Sequence, residues 1–298
     1  MIAIIVDHTK IYYAEANATD YYLYVYNALT IFFFLSGYLF FNEGSDFSPY
    51  HKLKSICRRL VIPYFLFTPI LSLSKVIAGQ QQLSSQLFIS ILSGEPSWFV
   101  STLVTASLLF CLLLVITCRH IVFMAPLVAG FYLLYFILPD TQPDFWHYHH
   151  ATRFLLYLFL GYSYHLVEHK IPNSPYLTLL LFLGVFVSKY LYIKEYIVST
   201  WAMEVYLLAD TMLCIMLAVN IAQTIKGQSF IEWIGRKSIY FYFLCGGVPF
   251  VVSRLMNQIG LPYNNQLSHL LLCIAVTLST ISFVIWLLNY FLKHKTAH

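Results

Sequence analysis

Two short stretches of this 298-residue sequence carry side chains suited to chemistry. The first is Asp7-His8, which ends an apolar block running from Met1 to Val6. Histidine titrates near neutral pH and can take a proton from a hydroxyl. A neighbouring carboxylate can raise its basicity, although adjacent residues on a helix do not face each other. The plainer reading is an interfacial pair that ends a helix. The second stretch holds Lys54, Arg58 and Arg59, followed by Pro63. Lys54 and Arg58 are four apart and so share a helix face. Like charges so spaced repel, which suggests an anion that offsets them. A phosphate-bearing ligand fits, and so do anionic lipid and a topology signal.

Other polar groups are less informative. In Phe32-Phe33-Phe34-Leu35-Ser36-Gly37-Tyr38-Leu39, Gly37 lets another backbone approach closely and Ser36 can hydrogen-bond across helices, which is ordinary membrane-helix packing. His147, His149 and His150 cluster, but they lack a helical i, i+4 pair and no Cys or Glu adjoins them, so no metal site is expected there. Asp210 lies inside an apolar block, where it must pair with a Lys or Arg, stay protonated or line a wet cavity. Asn17-Ala18-Thr19 matches a glycosylation sequon, a frequent chance match. The cysteines Cys57, Cys111, Cys118, Cys214, Cys245 and Cys273 form no CxxC pair and read as small apolar residues. No Walker A loop or dinucleotide fingerprint is present, so neither ATP-driven nor nicotinamide chemistry is indicated.

The elements that must position these groups are set by composition. Hydrophobic residues make up 59% of the chain and charged residues 10%, against roughly 25% charged in soluble domains. The apolar residues fall in blocks near the roughly 20 residues that span a bilayer as a helix, too long and too uniform for barrel strands. The fold expected is all-α: one polytopic bundle over 1–298, of about ten transmembrane helices. Full spans are placed at 21–41, 57–76, 98–117, 121–138, 153–167, 175–193, 203–224, 238–257 and 267–292. The Met1–Val6 block supplies a shortened first helix and does not fit a signal peptide. The reading frame is therefore expected to extend upstream by about ten residues or more, to complete a span. With both termini cytoplasmic, 11 of the 17 Lys and Arg face the cytoplasm, which obeys the positive-inside rule. Membrane lipids are the implied surroundings. The net charge of +4 gives no reason to expect nucleic acid.

Taken in order, several segments resemble the acyltransferase-3 family of membrane O-acyltransferases. They are Ile4 to His8, Phe32 to Leu39, Arg58 to Tyr64, Ser97-Trp98-Phe99, Phe159-Leu160-Gly161-Tyr162, and Gly235 to Leu244. The resemblance covers essentially the whole chain. It implies about ten membrane helices and transfer of an acyl group, usually acetyl from acetyl-CoA, to hydroxyls of cell-surface glycans. It assigns His8 to the family's essential histidine, and Arg58 and Arg59 to its basic donor motif. The chain departs from the pattern in three places. An Arg usual upstream of the histidine would precede Met1, Ile56 takes the place of one basic-motif Arg, and Cys245 takes that of a later histidine.

The resemblance thus implies a cell-membrane O-acyltransferase with acyl-CoA as donor and no tightly bound cofactor. CoA phosphates would pair with Lys54, Arg58 and Arg59. His8 would deprotonate a hydroxyl of a glycan or lipid-linked saccharide, with Asp7 orienting it. Ser36, Tyr38 and Tyr240 are unranked candidates for donating to the oxyanion. Trp98 either lines the cavity or anchors its helix at the interface. The alternatives are a transporter or flippase for a glycan or lipid intermediate, or a family member without activity. A transporter is disfavoured because neither paired halves nor broken helices are evident in the sequence.

Overall fold

A helix satisfies every backbone N–H and C=O within its own segment, as lipid requires, and helices are the only regular elements among the described residues. The computed structural model describes the chain apart from residues 15–19, 41–47, 78–81, 139–143, 172–173, 196–199, 225–228, 265 and 296–298, and apart from the side chains of 74, 75, 77, 200 and 291–295. The Asn17 sequon lies outside the described residues. In chain order the helices are α1 (Ile2–Ala14), α2 (Tyr21–Tyr38), α3 (Pro49–Ile56), α4 (Ile62–Ile77), α5 (Ser85–Ser93), α6 (Trp98–Ile116), α7 (Ile121–Ile137), α8 (Tyr148–Val167), α9 (Pro175–Ile193), α10 (Thr200–Thr224), α11 (Ser229–Arg236), α12 (Ser238–Cys245), α13 (Val248–Gln258) and α14 (Leu267–Lys295).

Among the described residues, five segments are long and apolar enough to cross a bilayer: Pro49–Leu73, Glu95–Ile116, Pro175–Ile193, Trp201–Thr224 and Leu267–Tyr290. The chain is a multi-pass membrane protein. The ten spans expected are supported only in part. α7 is apolar but has 17 residues, and α2 and α8 interrupt their apolar runs with Tyr, Asn, His and Arg. The span expected at 238–257 is broken at Gly246-Gly247, where α12 and α13 bend by 49°. Pro249, in the first turn of α13, cannot donate a backbone hydrogen bond across the break.

The chain divides into two units. One joins Met1–Ala28 to Gly227–His298. In it α1 packs on α12, α13 and α14, around a core of Tyr13, Val252, Met256, Leu270 and Cys273. The other unit is Leu29–Lys226. Its most buried helix is α6, which packs against α3 and α8, and α8 in turn carries α7. Aromatic rings fill this core. Phe33 stacks on Phe154 at 4.4 Å, Phe99 meets Phe33 edge-on at 5.5 Å, and Phe110 bridges Phe40 and Tyr162.

α2 and α8 cross on two glycines. A Cβ on Gly37 would lie 1.8 Å from the Leu158 carbonyl oxygen, and one on Gly161 would lie 1.9 Å from that of Phe34. Backbone thus rests on backbone, the small-residue packing expected between membrane helices. Phe32–Leu39 and Phe159–Tyr162, far apart in sequence, are the two sides of one contact.

Asp210, fully buried in α10, resolves as an ion pair. Its carboxylate accepts from Ser188 Oγ at 2.6 Å and from Lys189 Nζ at 2.5 Å, both on α9. Elsewhere α9 turns Leu179, Leu180, Phe182 and Phe186 outward, a surface suited to lipid. Breaking a buried pair strands the remaining charge and costs about 3 kcal/mol or more, whereas replacing both partners with apolar groups is often close to neutral. Asp210→Leu should therefore lower the melting temperature strongly in detergent, and Lys189→Met added to it should restore most of the loss. Equal melting of the single and double variants would show that the pair is not coupled.

Candidate active site

On α1 the buried positions Ile4, Ile5, Thr9 and Tyr13 mark the inward face. His8 follows Ile4 by four residues and Ile5 by three, so it lies on the edge of that face, half-buried. Its ring stacks on Tyr12 at 6.3 Å, and Tyr12 meets Phe250 of α13 edge-on at 5.6 Å. Asp7 accepts a hydrogen bond from the Tyr24 hydroxyl at 3.2 Å, and Lys10 Nζ stands 5.6 Å from the same ring. Tyr24 is a partner the sequence reading missed, because nothing in the spacing of α1 and α2 shows which faces meet. Cys245, at the position where a histidine was expected, is buried in α12, and its thiol donates to the Tyr242 carbonyl. Tyr240 is half-buried in the same helix. Lys237 Nζ lies 5.7 Å from the Tyr240 ring and donates to Asn289 Oδ1 at 3.0 Å.

In the other unit Lys54, Arg58 and Arg59 are all exposed, and among the described residues no carboxylate pairs with them. The backbone beneath them is unusual. Cys57–Val61 is a π-helical turn, closed by the Ile62 N–H donating to the Cys57 carbonyl. Pro63 accounts for it. Proline has no N–H to give the carbonyl four residues back, Arg59, and its ring crowds that carbonyl. The chain widens by one residue instead, a bulge frequent at functional sites. The α-helical spacing that put Lys54 beside Arg58 therefore does not continue through this turn. Two further cations join the group. Lys52 Nζ donates to the Leu39 carbonyl at 3.0 Å, over the Phe40 ring, and is close enough to Arg59 and Arg119 to feel their charge. Arg119 sits in the α6–α7 turn with a positive φ of 66°.

Tyr38, at the end of α2, donates its hydroxyl to Glu168 Oε2 at 2.9 Å and meets the His165 ring edge-on at 4.5 Å. Ser36 is half-buried one residue before the glycine crossing. Trp98 opens α6, half-buried, with its ring 6.2 Å from Phe99 and 6.4 Å from His150. The buried hydroxyls of Thr68 and Ser97, 3.1 Å apart, tie α4 to the turn before Trp98.

The family model for the acyltransferase domain, acyltransferase-3, matches residues 1–292. The chain belongs to that family. It is an acyltransferase, of the class that transfers groups other than aminoacyl groups. Comparison with curated proteins and with solved structures gives no match.

The motifs that carry the family resemblance fall into two groups. Within Leu29–Lys226, the segments at Phe32–Leu39, Trp98-Phe99 and Phe159–Tyr162 interlock through the ring contacts and the glycine crossing, while Arg58–Tyr64 forms the π turn and the start of α4. Tyr64 is fully buried, with its hydroxyl donating to the Ile91 carbonyl at 2.7 Å. In the other unit the acyltransferase carries Asp7-His8 on α1 and Gly235–Leu244 along α11 and α12, two helices that meet at Lys237. Most of these motif residues are thus packing residues. His8 is half-buried on α1, and in the other unit the cations of α3 and the π turn are exposed.

Proposed function

We propose that this acyltransferase moves an acyl group, acetyl in the simplest case, from acyl-CoA to a hydroxyl of a cell-surface glycan or lipid-linked saccharide. The observation that supports a CoA donor is the exposed group of Lys54 on α3 and Arg58 and Arg59 on the π turn, which no carboxylate among the described residues pairs. Three exposed cations at the start of a membrane-crossing segment suit phosphates, to which charge-assisted hydrogen bonds are strong and directional. Their place in the positive-inside pattern puts them on the cytoplasmic side of the cell membrane, where CoA is available, with both termini on that side.

His8 acts as general base in this reading. It removes the proton of the acceptor hydroxyl as the oxygen attacks the thioester carbonyl, and CoA leaves as its thiol. Asp7, which accepts from the Tyr24 hydroxyl, ties the middle of α1 to α2. Tyr240 remains a candidate donor to the oxyanion, and so does Ser36. The Tyr38 hydroxyl already serves Glu168 and would have to leave it to take that part.

The reading is tested by incubating the purified protein in lipid with radiolabelled acetyl-CoA and candidate glycans. Label transfer, or slow thioester hydrolysis without acceptor, is the expected result. Arg58→Gln with Arg59→Gln should weaken acyl-CoA binding about tenfold or more and flatten its salt dependence, since each lost phosphate contact removes a screened attraction. Unchanged affinity in correctly inserted protein would assign these arginines to lipid contact or topology instead.

A transporter without chemistry is the second reading, and the broken α12–α13 span is what favours it, because discontinuous helices are common where transporters bind their cargo. Substrate movement across vesicles with no label transfer would select it.

A further inference from the structure

We propose that Asp144, His147 and His150 bind a divalent transition-metal ion, with zinc the best match. One donor atom from each residue lies within 4.8 Å of the other two. The sequence expectation set these histidines aside because no i, i+4 pair was present. The structure supplies the missing ligand from the opposite direction. Asp144 precedes His147 by three residues, and His150 follows it by three in the first turn of α8. His149 takes no part, since its ring stacks on Tyr135 of α7 and its Nε2 is 2.9 Å from that residue's carbonyl.

The buried atoms point to a ligand. The Asp144 side chain is only 2% exposed. Its Oδ1 accepts from the His149 N–H at 3.2 Å, but among the described residues its Oδ2 has no hydrogen-bond partner. A buried carboxylate oxygen without a partner is costly, and such a group calls for a cation. The Asp144 Oδ2 to His147 Nδ1 separation is 3.7 Å. That is long for an ionic hydrogen bond but close to the spacing of two ligands on one zinc ion, roughly 3.3 Å when each bond is about 2.0 Å. His150 supplies the third position, with its donor atom within 4.8 Å of the other two.

The backbone presents these groups from a rigid turn. Trp146 and His147 both have positive φ, 52° and 49°, an uncommon state for residues with side chains. Trp146 is fixed on both sides. Its Nε1 donates to the Leu92 carbonyl at 2.9 Å, its own carbonyl accepts from Thr105 Oγ1 at 2.8 Å, and its indole packs against Tyr64 and Phe65. Two imidazoles and one carboxylate suit zinc and its neighbours in the first transition row, whereas calcium and magnesium prefer all-oxygen sets. Three protein ligands leave the ion one position for water.

The test uses the full chain in lipid nanodiscs, purified on a tag without histidine and stripped with chelator. Zinc titration should give one tight equivalent in the unaltered protein, undisturbed by millimolar calcium. Asp144→Asn with His147→Gln should lose that equivalent, while weak surface binding persists. Because those substitutions could disturb the turn, cobalt is added to the unaltered protein as a second measurement. Visible d–d absorption that zinc abolishes one-for-one is expected. Equal zinc uptake by the unaltered and doubly substituted proteins, or cobalt without such absorption, would overturn the site.

Discussion

His8→Ala should reduce acyl transfer by about 10²–10⁴-fold, the usual loss when a general base is removed, while leaving insertion and acyl-CoA affinity near those of the unaltered protein. The motivating observation is a half-buried imidazole at the edge of the inward face of α1. Donor affinity should survive because the cations proposed to hold the CoA phosphates belong to other helices. His8→Gln, which keeps hydrogen bonding but accepts no proton at neutral pH, should be equally inactive. A transporter would tolerate Gln, since hydrogen bonding to its cargo would persist. Robust transfer by His8→Ala, measured with labelled acetyl-CoA, would remove this mechanism.

A large effect on stability is expected at the α2–α8 crossing. Gly161→Ala places a methyl group 1.9 Å from the Phe34 carbonyl oxygen, and Gly37→Ala places one 1.8 Å from that of Leu158. Both obstacles are backbone, so neither can swing aside. The helices must separate by more than 1 Å, roughly the shortfall from ordinary contact distance. That loosens the Phe33–Phe154 stack beside the crossing. A cost of about 3 kcal/mol is expected for either substitution, the upper end of ordinary overpacking. Gly130→Ala in α7 is the control. Its added Cβ would meet nothing within 4 Å, and the change should be neutral or stabilising by about 1 kcal/mol. Thermal unfolding in detergent separates them, and a Gly161→Ala protein that melts with the control would show the crossing to be more pliant than it looks.

What the sequence disclosed follows from how local each signal is. Long apolar runs mark α6, α9, α10 and α14 because membrane crossing is a property of a single segment. Gly37 was legible as a packing glycine, but its counterpart Gly161 was not, since which helices meet is a non-local fact. Asp210 had to be paired or neutralised, and only the packing of α9 on α10 names Lys189. The π turn was written in Pro63 and went unread, because the spacing argument assumed a regular helix up to it. Gly246-Gly247-Val248-Pro249 likewise announced the break that the expected continuous span passed over. Asp144 was overlooked because metal spacing was sought on a helix, whereas its geometry depends on two residues of positive φ. For Asp7, His8, Lys54, Arg58, Arg59, Ser36, Tyr38, Trp98 and Tyr240, the fold supplies locations and neighbours, and their roles await the assays above.

One unit is assembled from both ends of the chain, Met1–Ala28 and Gly227–His298. During synthesis the ribosome makes α1 well before its packing partners α12, α13 and α14. At about 5–20 residues per second, the intervening stretch takes on the order of 10–40 s to translate. Through that interval the helix bearing His8 has none of those three partners. Leu29–Lys226, by contrast, is complete before α12 exists. The imidazole proposed as general base thus gains α12, α13 and α14 around it only after the whole of Leu29–Lys226 has been made, so in that proposal transfer has to wait for those three helices to enter the membrane.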